Sequence, residues 1–105
     1  MPDLKRIREL NDAFRTTLKG GSIMVTQGVS RLYVWEVLKA VRAFDKFENS
    51  DDPYGEHDFG AFQFGEQTLY WKIDAYGKDL ASASPDPCDP AITTRVLTVM
   101  LAEEY

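Results

Sequence analysis

The sequence predicts an α+β fold in the order αβαββα, in which three helices cover a small antiparallel sheet with a central hairpin. Apolar residues at three- and four-residue steps indicate helices in the first half of the chain and near its C-terminus. Two alternating stretches separated by a Gly-Glu dipeptide indicate the hairpin. At 105 residues and 11.9 kDa, the chain fits a single domain, residues 1–105, with one hydrophobic core.

The first helix is predicted from apolar residues that recur between Leu4 and Leu18, with charged residues between them. Asp3 is placed to cap the N-terminus of this helix. Gly20 and Gly21 supply the left-handed backbone positions that end a helix. We therefore expect a helix with well-marked ends.

A strand and a second helix follow. Ser22–Thr26 is short, apolar and β-branched, which predicts a strand. Ser30 is a candidate N-cap for the second helix, whose apolar side extends to Phe47 with Trp35 beside it. The polar run 48–53 ends in a proline and breaks any helix, so we expect a loop there.

The hairpin joins His57–Phe64 to Gln67–Asp74 through Gly65-Glu66, a two-residue link with glycine first, as a type II′ turn requires. Alternation along the second strand turns one row of side chains toward a core and the other toward solvent. The core row consists of Leu69, Trp71 and Ile73.

The remainder of the chain is predicted to be irregular and then helical. Asp79–Ser82 is a candidate short edge strand. Asp89 and Pro90 are typical of the N-cap and first position of a last helix. Apolar residues then follow helical spacing at Ile92, Val96, Val99 and Met100.

Composition argues against a membrane protein and against disulfide bonds. No apolar run approaches the roughly 20 residues that span a bilayer, and residues 1–10 lack the apolar core of a signal peptide. Cys88 is the only cysteine, which excludes an intramolecular disulfide and agrees with a reducing compartment. We therefore expect a cytoplasmic protein with no membrane partner.

Charge is distributed unevenly along the chain. Residues 1–47 hold nine Lys or Arg against five Asp or Glu, a net charge of +4, whereas residues 48–105 hold three against twelve, a net charge of −9. An acidic half repels a phosphate backbone, so we expect no direct nucleic-acid ligand unless the basic half folds into one face. A protein partner with a cationic surface suits this charge better. The alternative is that both signs mix on the folded surface, since sequence halves need not be spatial halves.

His57, the only histidine, lies between two carboxylates where a polar loop enters an aromatic strand. Imidazole titrates near neutrality and a carboxylate can fix its tautomer, so His57 with Glu56 or Asp58 is a candidate acid-base group. Asp74, on the neighbouring strand, is placed to reach the same end of the sheet. Neighbours on a strand point to opposite faces, however, so His57 cannot easily bond both flanking carboxylates. The alternative is a structural histidine that hydrogen-bonds the preceding loop.

Other reaction chemistry has weaker support. Cys88 and His57 would together supply a nucleophile and a base, but no spacing rule favours this pair. One histidine and one cysteine cannot form a four-ligand zinc site, and the acidic residues lack the spacing of a calcium loop. Because no glycine-rich phosphate or dinucleotide motif occurs, we expect no metal and no cofactor.

Aromatic residues concentrate around the hairpin, and tyrosines beside carboxylates suit protein recognition. The alternative is that Phe and Trp fill the core while tyrosines cover its rim, and we expect this of Trp71. The aromatic set comprises Tyr54, Phe59, Phe62, Tyr70, Trp71 and Tyr76.

Segments 7–12, 52–60, 71–74 and 94–105 together resemble a small bacterial domain family of unknown function that carries the motif Tyr-Gly-Glu-His-Asp-Phe-Gly. The similarity covers nearly the whole chain. The resemblance implies no assigned reaction, but members often occur on plasmids and in phage-like regions, which implies accessory or counter-defence roles. Relatives tend to have a small residue in place of Cys88 and an aromatic one in place of Ala75, and both departures weaken a thiol mechanism.

These observations favour a small acidic binding protein of mobile-element origin. We expect it to inhibit or modulate a host defence complex that handles nucleic acid, in the manner of anti-CRISPR or anti-restriction proteins. The alternative is a small enzyme that uses His57 with Glu56 or Asp58. The chain is expected to be a monomer or a homodimer. The candidate binding residues are Asp51, Asp52, Tyr54, Glu56, His57, Asp58, Asp74, Tyr76 and Asp79.

Overall fold

The computed structural model describes residues 3–105, which form helices and one sheet. The elements are α1 (Leu4–Thr17), β1 (Gly21–Val25), α2 (Gln27–Ser30), α3 (Val34–Arg42), β2 (Phe59–Phe64), β3 (Gln67–Gly77), β4 (Thr93–Leu101) and a 3-10 turn (Ala102–Glu104). The α+β class is therefore confirmed. No helix within residues 3–105 has the length and apolar character needed to cross a bilayer.

The predicted ends of α1 are largely correct. The Asp3 carboxylate accepts a hydrogen bond from the backbone N–H of Arg6 at 3.2 Å, so it caps the helix as expected. The left-handed residue at the other end is Leu18, with φ 60°, rather than a glycine. Gly20, with φ 100°, then turns the chain into β1.

The second predicted helix is interrupted. Thr26 caps the short α2, the chain bends, and α3 begins only at Val34. α3 ends at Arg42, so Phe47 belongs to the irregular segment that follows. Trp35 is 80% exposed and therefore does not contribute to the apolar face of α3.

The hairpin forms as predicted between β2 and β3. Phe64 pairs with Gln67, and Gly65 has the positive φ, 63°, that its turn position requires. β2 begins at Phe59 rather than at His57, and β3 continues to Gly77. The edge strand expected at 79–82 is absent from the described chain, where a single bridge between Tyr76 and Ala83 occurs instead.

The predicted last helix is wrong, because residues 93–101 form the strand β4. Asp89 does accept a hydrogen bond from the N–H of Ala91 at 2.9 Å, but this closes only a turn. β4 is rich in Thr and Val, which favour strands. It lies between β1 and β3 and is buried on both faces, so its apolar residues do not alternate and imitate a helical pattern.

The sheet has the order β1-β4-β3-β2, with β1 parallel to β4 and the other pairs antiparallel. The prediction of a purely antiparallel sheet is therefore also wrong. The helices pack on one face of this mixed sheet, where Trp71 is fully buried as expected. The central core residues are Phe14, Val37, Leu38, Val41, Leu69, Trp71, Leu97 and Val99. Each such side chain contributes about 1.5–3 kcal/mol by leaving water.

Candidate functional site

The loop that precedes β2 is folded around the carboxylate of Asp52. Asp52 is only 7% exposed, and its Oδ1 accepts the backbone N–H of His57 at 3.1 Å. Its own backbone N–H donates to the carbonyl of Glu48 at 2.7 Å. His57 has φ 53°, a left-handed conformation that is uncommon outside glycine. Asp52 therefore holds His57 in an unfavourable backbone conformation at the entrance to the sheet.

The His57 ring is enclosed by residues that are distant in sequence. Its Nδ1 lies 2.9 and 3.1 Å from the two carboxylate oxygens of Asp12 on α1, so Nδ1–H donates to this carboxylate. Its Nε2 lies 3.7 Å from Oδ2 of Asp52. The ring also stacks on Phe47, with 3.6 Å between centroids and 4° between planes. The partners of the imidazole are thus Asp12 and Asp52, not the flanking Glu56 and Asp58.

Arg15 extends this network into the core. Its Nη2 donates to Oδ1 of Asp12 at 3.3 Å, and its Nη1 donates to the carbonyls of Val41 and Arg42 at 3.0 and 3.1 Å. The guanidinium lies over the Phe47 ring at 5.4 Å, an arrangement with favourable cation–π geometry. Arg15 therefore ties α1 to the carboxyl end of α3, where cations are stabilised.

A second buried polar pair connects α1 to both long loops. The Asn11 amide donates to the carbonyl of Glu56 at 2.9 Å and accepts from Nε of Arg95 at 2.7 Å. Nη2 of Arg95 donates to the carbonyl of Pro87 at 2.7 Å. Burial lowers the pKa of Arg95, because its charge is removed from water. This network fixes the loop around residue 56 against the sheet.

Two clefts adjoin each other beside the start of β2, and we call them the acidic clefts. The first, of about 280 Å³, is lined by residues including Asn11, Glu56, Asp58, Asp74 and Tyr76. The second, of about 380 Å³, is lined by residues including Asp51, Asp58, Lys72, Asp74 and Tyr105. Asp58, Ile73 and Asp74 form the shared wall. The expected approach of Asp74 to the loop carboxylates is therefore seen.

Two carboxylates of the acidic clefts, those of Glu56 and Asp58, have raised pKa values. Burial raises the pKa of Glu56, and the charges of Asp58 and Asp52 raise it further. Burial also raises the pKa of Asp58, to which Asp52 and Asp74 add repulsion. The only amine lining this wall in the described chain, Lys72, bonds Oδ2 of Asp74 at 2.9 Å, and this bond raises the pKa of Lys72. The clefts are consequently suited to a cationic group.

The structure brings together some predicted binding residues and separates others. Asp51, Glu56, Asp58, Asp74 and Tyr76 line the acidic clefts, and Asp52 and His57 support them from behind. Tyr54 is 71% exposed on the loop. The Asp79 carboxylate accepts hydrogen bonds from Ala81 and Ser82 in its own turn, and these bonds lower its pKa.

The supporting residues Asn11, Asp12, Arg15, Phe47 and Arg95 were not predicted. The sequence held one signal for some of these residues. Arg8, Asn11 and Arg15 recur at helical spacing along α1 and so form a polar row on that helix. Cys88 lies elsewhere, with its Sγ 3.5 Å from the Asp3 carbonyl. Within residues 3–105, no three His, Cys, Asp or Glu side chains converge to hold a metal ion.

Fold and site define a small α+β domain with a mixed four-stranded sheet and a wall of carboxylates beside it. The chain belongs to the family described as Protein of unknown function (DUF3768), whose model matches residues 25–104. The expected membership of a family of unknown function is thereby confirmed, although segment 7–12 lies outside the match. Comparison with curated proteins and with solved structures gave no match.

Proposed function

We propose that this protein is a small acidic binding module whose clefts accept cationic side chains of a partner protein. The partner class is a host complex that handles nucleic acid, in the manner of anti-CRISPR or anti-restriction targets. Proteins that bind phosphate backbones display Lys and Arg surfaces, which an acidic module can occupy in competition with the nucleic acid.

The observation that carries this proposal is the shared wall of Asp58 and Asp74. Both carboxylates face two adjoining clefts, and burial with mutual repulsion raises the pKa of Asp58. A lysine or arginine of a partner entering either cleft relieves that repulsion. Asp58 and Asp74 are both half-buried, so such a pairing is partly removed from solvent and is stronger than a fully exposed surface ion pair.

A fixed shape supports recognition better than a flexible acidic tail would. The Asp12, His57 and Asp52 contacts hold the loop, and Asn11 holds the carbonyl of Glu56. The carboxylates are therefore presented in a preorganised arrangement, which reduces the entropy lost on binding. In this proposal His57 is a positioning residue.

The experiment is affinity capture from host lysate with tagged protein at low and high salt, followed by mass spectrometry. We compare the wild type with an Asp58→Asn/Asp74→Asn variant. The control is Glu66→Gln/Glu103→Gln, which changes net charge equally but lies at a different cleft. We expect a cationic protein that is retained at low salt by the wild type and the control, and lost from the cleft variant. Equal retention by the cleft variant would contradict the proposal.

The enzymatic alternative stays a prediction, and one observation bears on it: the Nδ1 of His57 is oriented by a carboxylate, as in nucleophile-base pairs. A His57→Ala variant that folds but loses a measured turnover would support it. A His57→Ala variant that keeps partner capture unchanged would show that the imidazole is dispensable for binding.

A further inference from the structure

β1 is an outer strand of the sheet with one unpaired edge. It pairs only with β4 in the described chain, in parallel register that sets Met24 beside Thr98. The N–H of Thr26 donates to the carbonyl of Val99 at 3.0 Å. In a parallel ladder alternate residues face the same neighbour, so Ser22, Met24 and Thr26 face β4. The backbone groups of Gly21, Ile23 and Val25 therefore point outward.

These outward groups lack partners within residues 3–105, since no backbone hydrogen bond joins them to another described segment. The first four residues of β1 are exposed, including Ile23 at 37% and Met24 at 58%. Native edge strands are normally protected by charges, prolines, bulges or a covering segment. The stretch Gly20–Ser30 contains no charged residue and no proline.

The opposite edge of the sheet is less exposed. β2 is mostly half-buried, whereas four of the five residues of β1 are exposed. The ring of Phe44 also packs against the face of β2 at Gly60, where a side chain would collide with it. β1 is therefore the more exposed of the two edge strands.

We propose that β1 is a homodimerisation strand, which pairs antiparallel with β1 of a second copy about a two-fold axis at Ile23. In this register Gly21 faces Val25 of the second copy, and Ile23 faces itself. All three are outward-facing residues, so each pair can exchange two backbone hydrogen bonds. The two sheets then form one continuous sheet.

Side chains and charges argue for a second copy as the occupant. On the face of the sheet opposite the helices, Ser22 lies opposite Met24 of the second copy, and on the helical face the two Ile23 side chains meet. Beyond the strand, Lys19 lies opposite Gln27, so no like charges face each other. A two-fold arrangement matches this short apolar segment with itself, as isologous interfaces require.

The test is the oligomeric state of the full chain, measured by sedimentation velocity over a series of concentrations. We expect a dimer for the wild type. Ile23→Pro removes only an outward N–H and leaves the ladder with β4 intact, so we expect a folded protein with dimerisation weakened roughly tenfold to a hundredfold. Met24→Pro is the matched control, because it removes an N–H that faces β4 and should destabilise the monomer.

A charge pair tests the register if the proline variant fails to fold. Ile23→Lys places two like charges opposite each other and should give monomers, as should Ile23→Glu. Mixing these two variants should restore a dimer. A monomeric wild type would overturn the proposal and would leave the edge of β1 to a peptide of another protein. Dimers of Ile23→Lys that are as tight as those of the wild type would also overturn it.

Discussion

At the scale of single residues, the imidazole of His57 is held by carboxylates that its neighbours in sequence do not supply. Asp12 receives Nδ1–H and Asp52 receives the backbone N–H, while the ring stacks on Phe47. The two flanking carboxylates are left free to line the acidic clefts instead. His57, which looked the most reactive residue in the sequence, therefore organises the loop. Its neighbours Glu56 and Asp58 are the residues that solvent can reach.

Replacement of Asp12 should reveal this organising role. Asp12→Ala removes the acceptor of both His57 Nδ1 and Arg15 Nη2, so we expect a loss of about 1–3 kcal/mol in the free energy of unfolding. Urea denaturation measures this loss of free energy of unfolding. Glu9→Ala, on the exposed side of α1, is the control and should change stability by less than about 0.5 kcal/mol. Equal stability of the two variants would refute the role.

Two aspartates should affect the pH dependence of stability with opposite signs. The pKa of Asp58 is raised, so the folded protein holds this proton more tightly than the unfolded chain does. The free energy of unfolding then falls as the pH rises from 3.8, the ordinary pKa of an aspartate, through the raised pKa of Asp58. At neutral pH the whole of this loss of stability is present. We expect Asp58→Asn to increase stability at pH 7.

Asp79 is the matched comparison. Hydrogen bonds from the backbone of Ala81 and Ser82 lower its pKa, so its contribution to stability is present above 3.8 and is lost as the pH falls through the lowered pKa. Asp79→Asn should therefore decrease stability at pH 7. Thermal unfolding from pH 3 to pH 7 compares both variants with the wild type. A change of stability at pH 7 in the same direction for both variants would contradict the opposite pKa shifts of Asp58 and Asp79.

At the scale of elements, the C-terminal strand shows where local patterns mislead. Asp89 and Pro90 are typical of a helix start, and the apolar residues after them follow helical spacing. The chain nevertheless extends, because β4 completes the hydrogen bonds of both β1 and β3. Burial on both faces removes the alternation that would have indicated a strand.

Alanine substitutions distinguish the strand from the predicted helix. Leu97 is fully buried in β4 although it lies outside the predicted helical row, so Leu97→Ala should cost about 2–5 kcal/mol of stability. Ile92 belongs to that predicted row but is 39% exposed before the strand begins, and Ile92→Ala should cost much less. Chemical denaturation of both variants checks the order, and a reversed order would be evidence against β4.

At the scale of the whole molecule, the two halves of the sequence separate into different parts of the fold. Residues 1–47 supply all the α-helices of the described chain and β1, whereas the acidic remainder supplies the long loops and three strands. The acidic clefts lie where a loop of the acidic half meets β3. In the proposed function, salt-dependent capture of a partner would depend on this arrangement rather than on one residue.

The structure also indicates which acidic residues should be substituted in a binding experiment. Asp52 is buried and supports His57, so reversal of its charge would disturb folding as well as any contact. Asp58 and Asp74 form the shared wall, and Asp51 is an exposed member of the second cleft. Variants at these three positions report on binding with less effect on the fold.

The sequence by itself determined the α+β class, the capped first helix, the hairpin and the burial of Trp71. Each of these depends on local periodicity, a capping side chain or a two-residue turn, which act over a few neighbouring residues. The sequence also indicated the loop around His57 as a candidate site, and it included carboxylates that line the acidic clefts.

Only the tertiary structure decided the identity of the last strand, the parallel pairing of β1 and the partners of His57. β4 is extended because strands on both sides complete its hydrogen bonds, and Asp12 meets His57 because α1 packs beside the loop. Such contacts join residues that are far apart in the chain. No local pattern specifies them, since their free energy arises only when the core has formed.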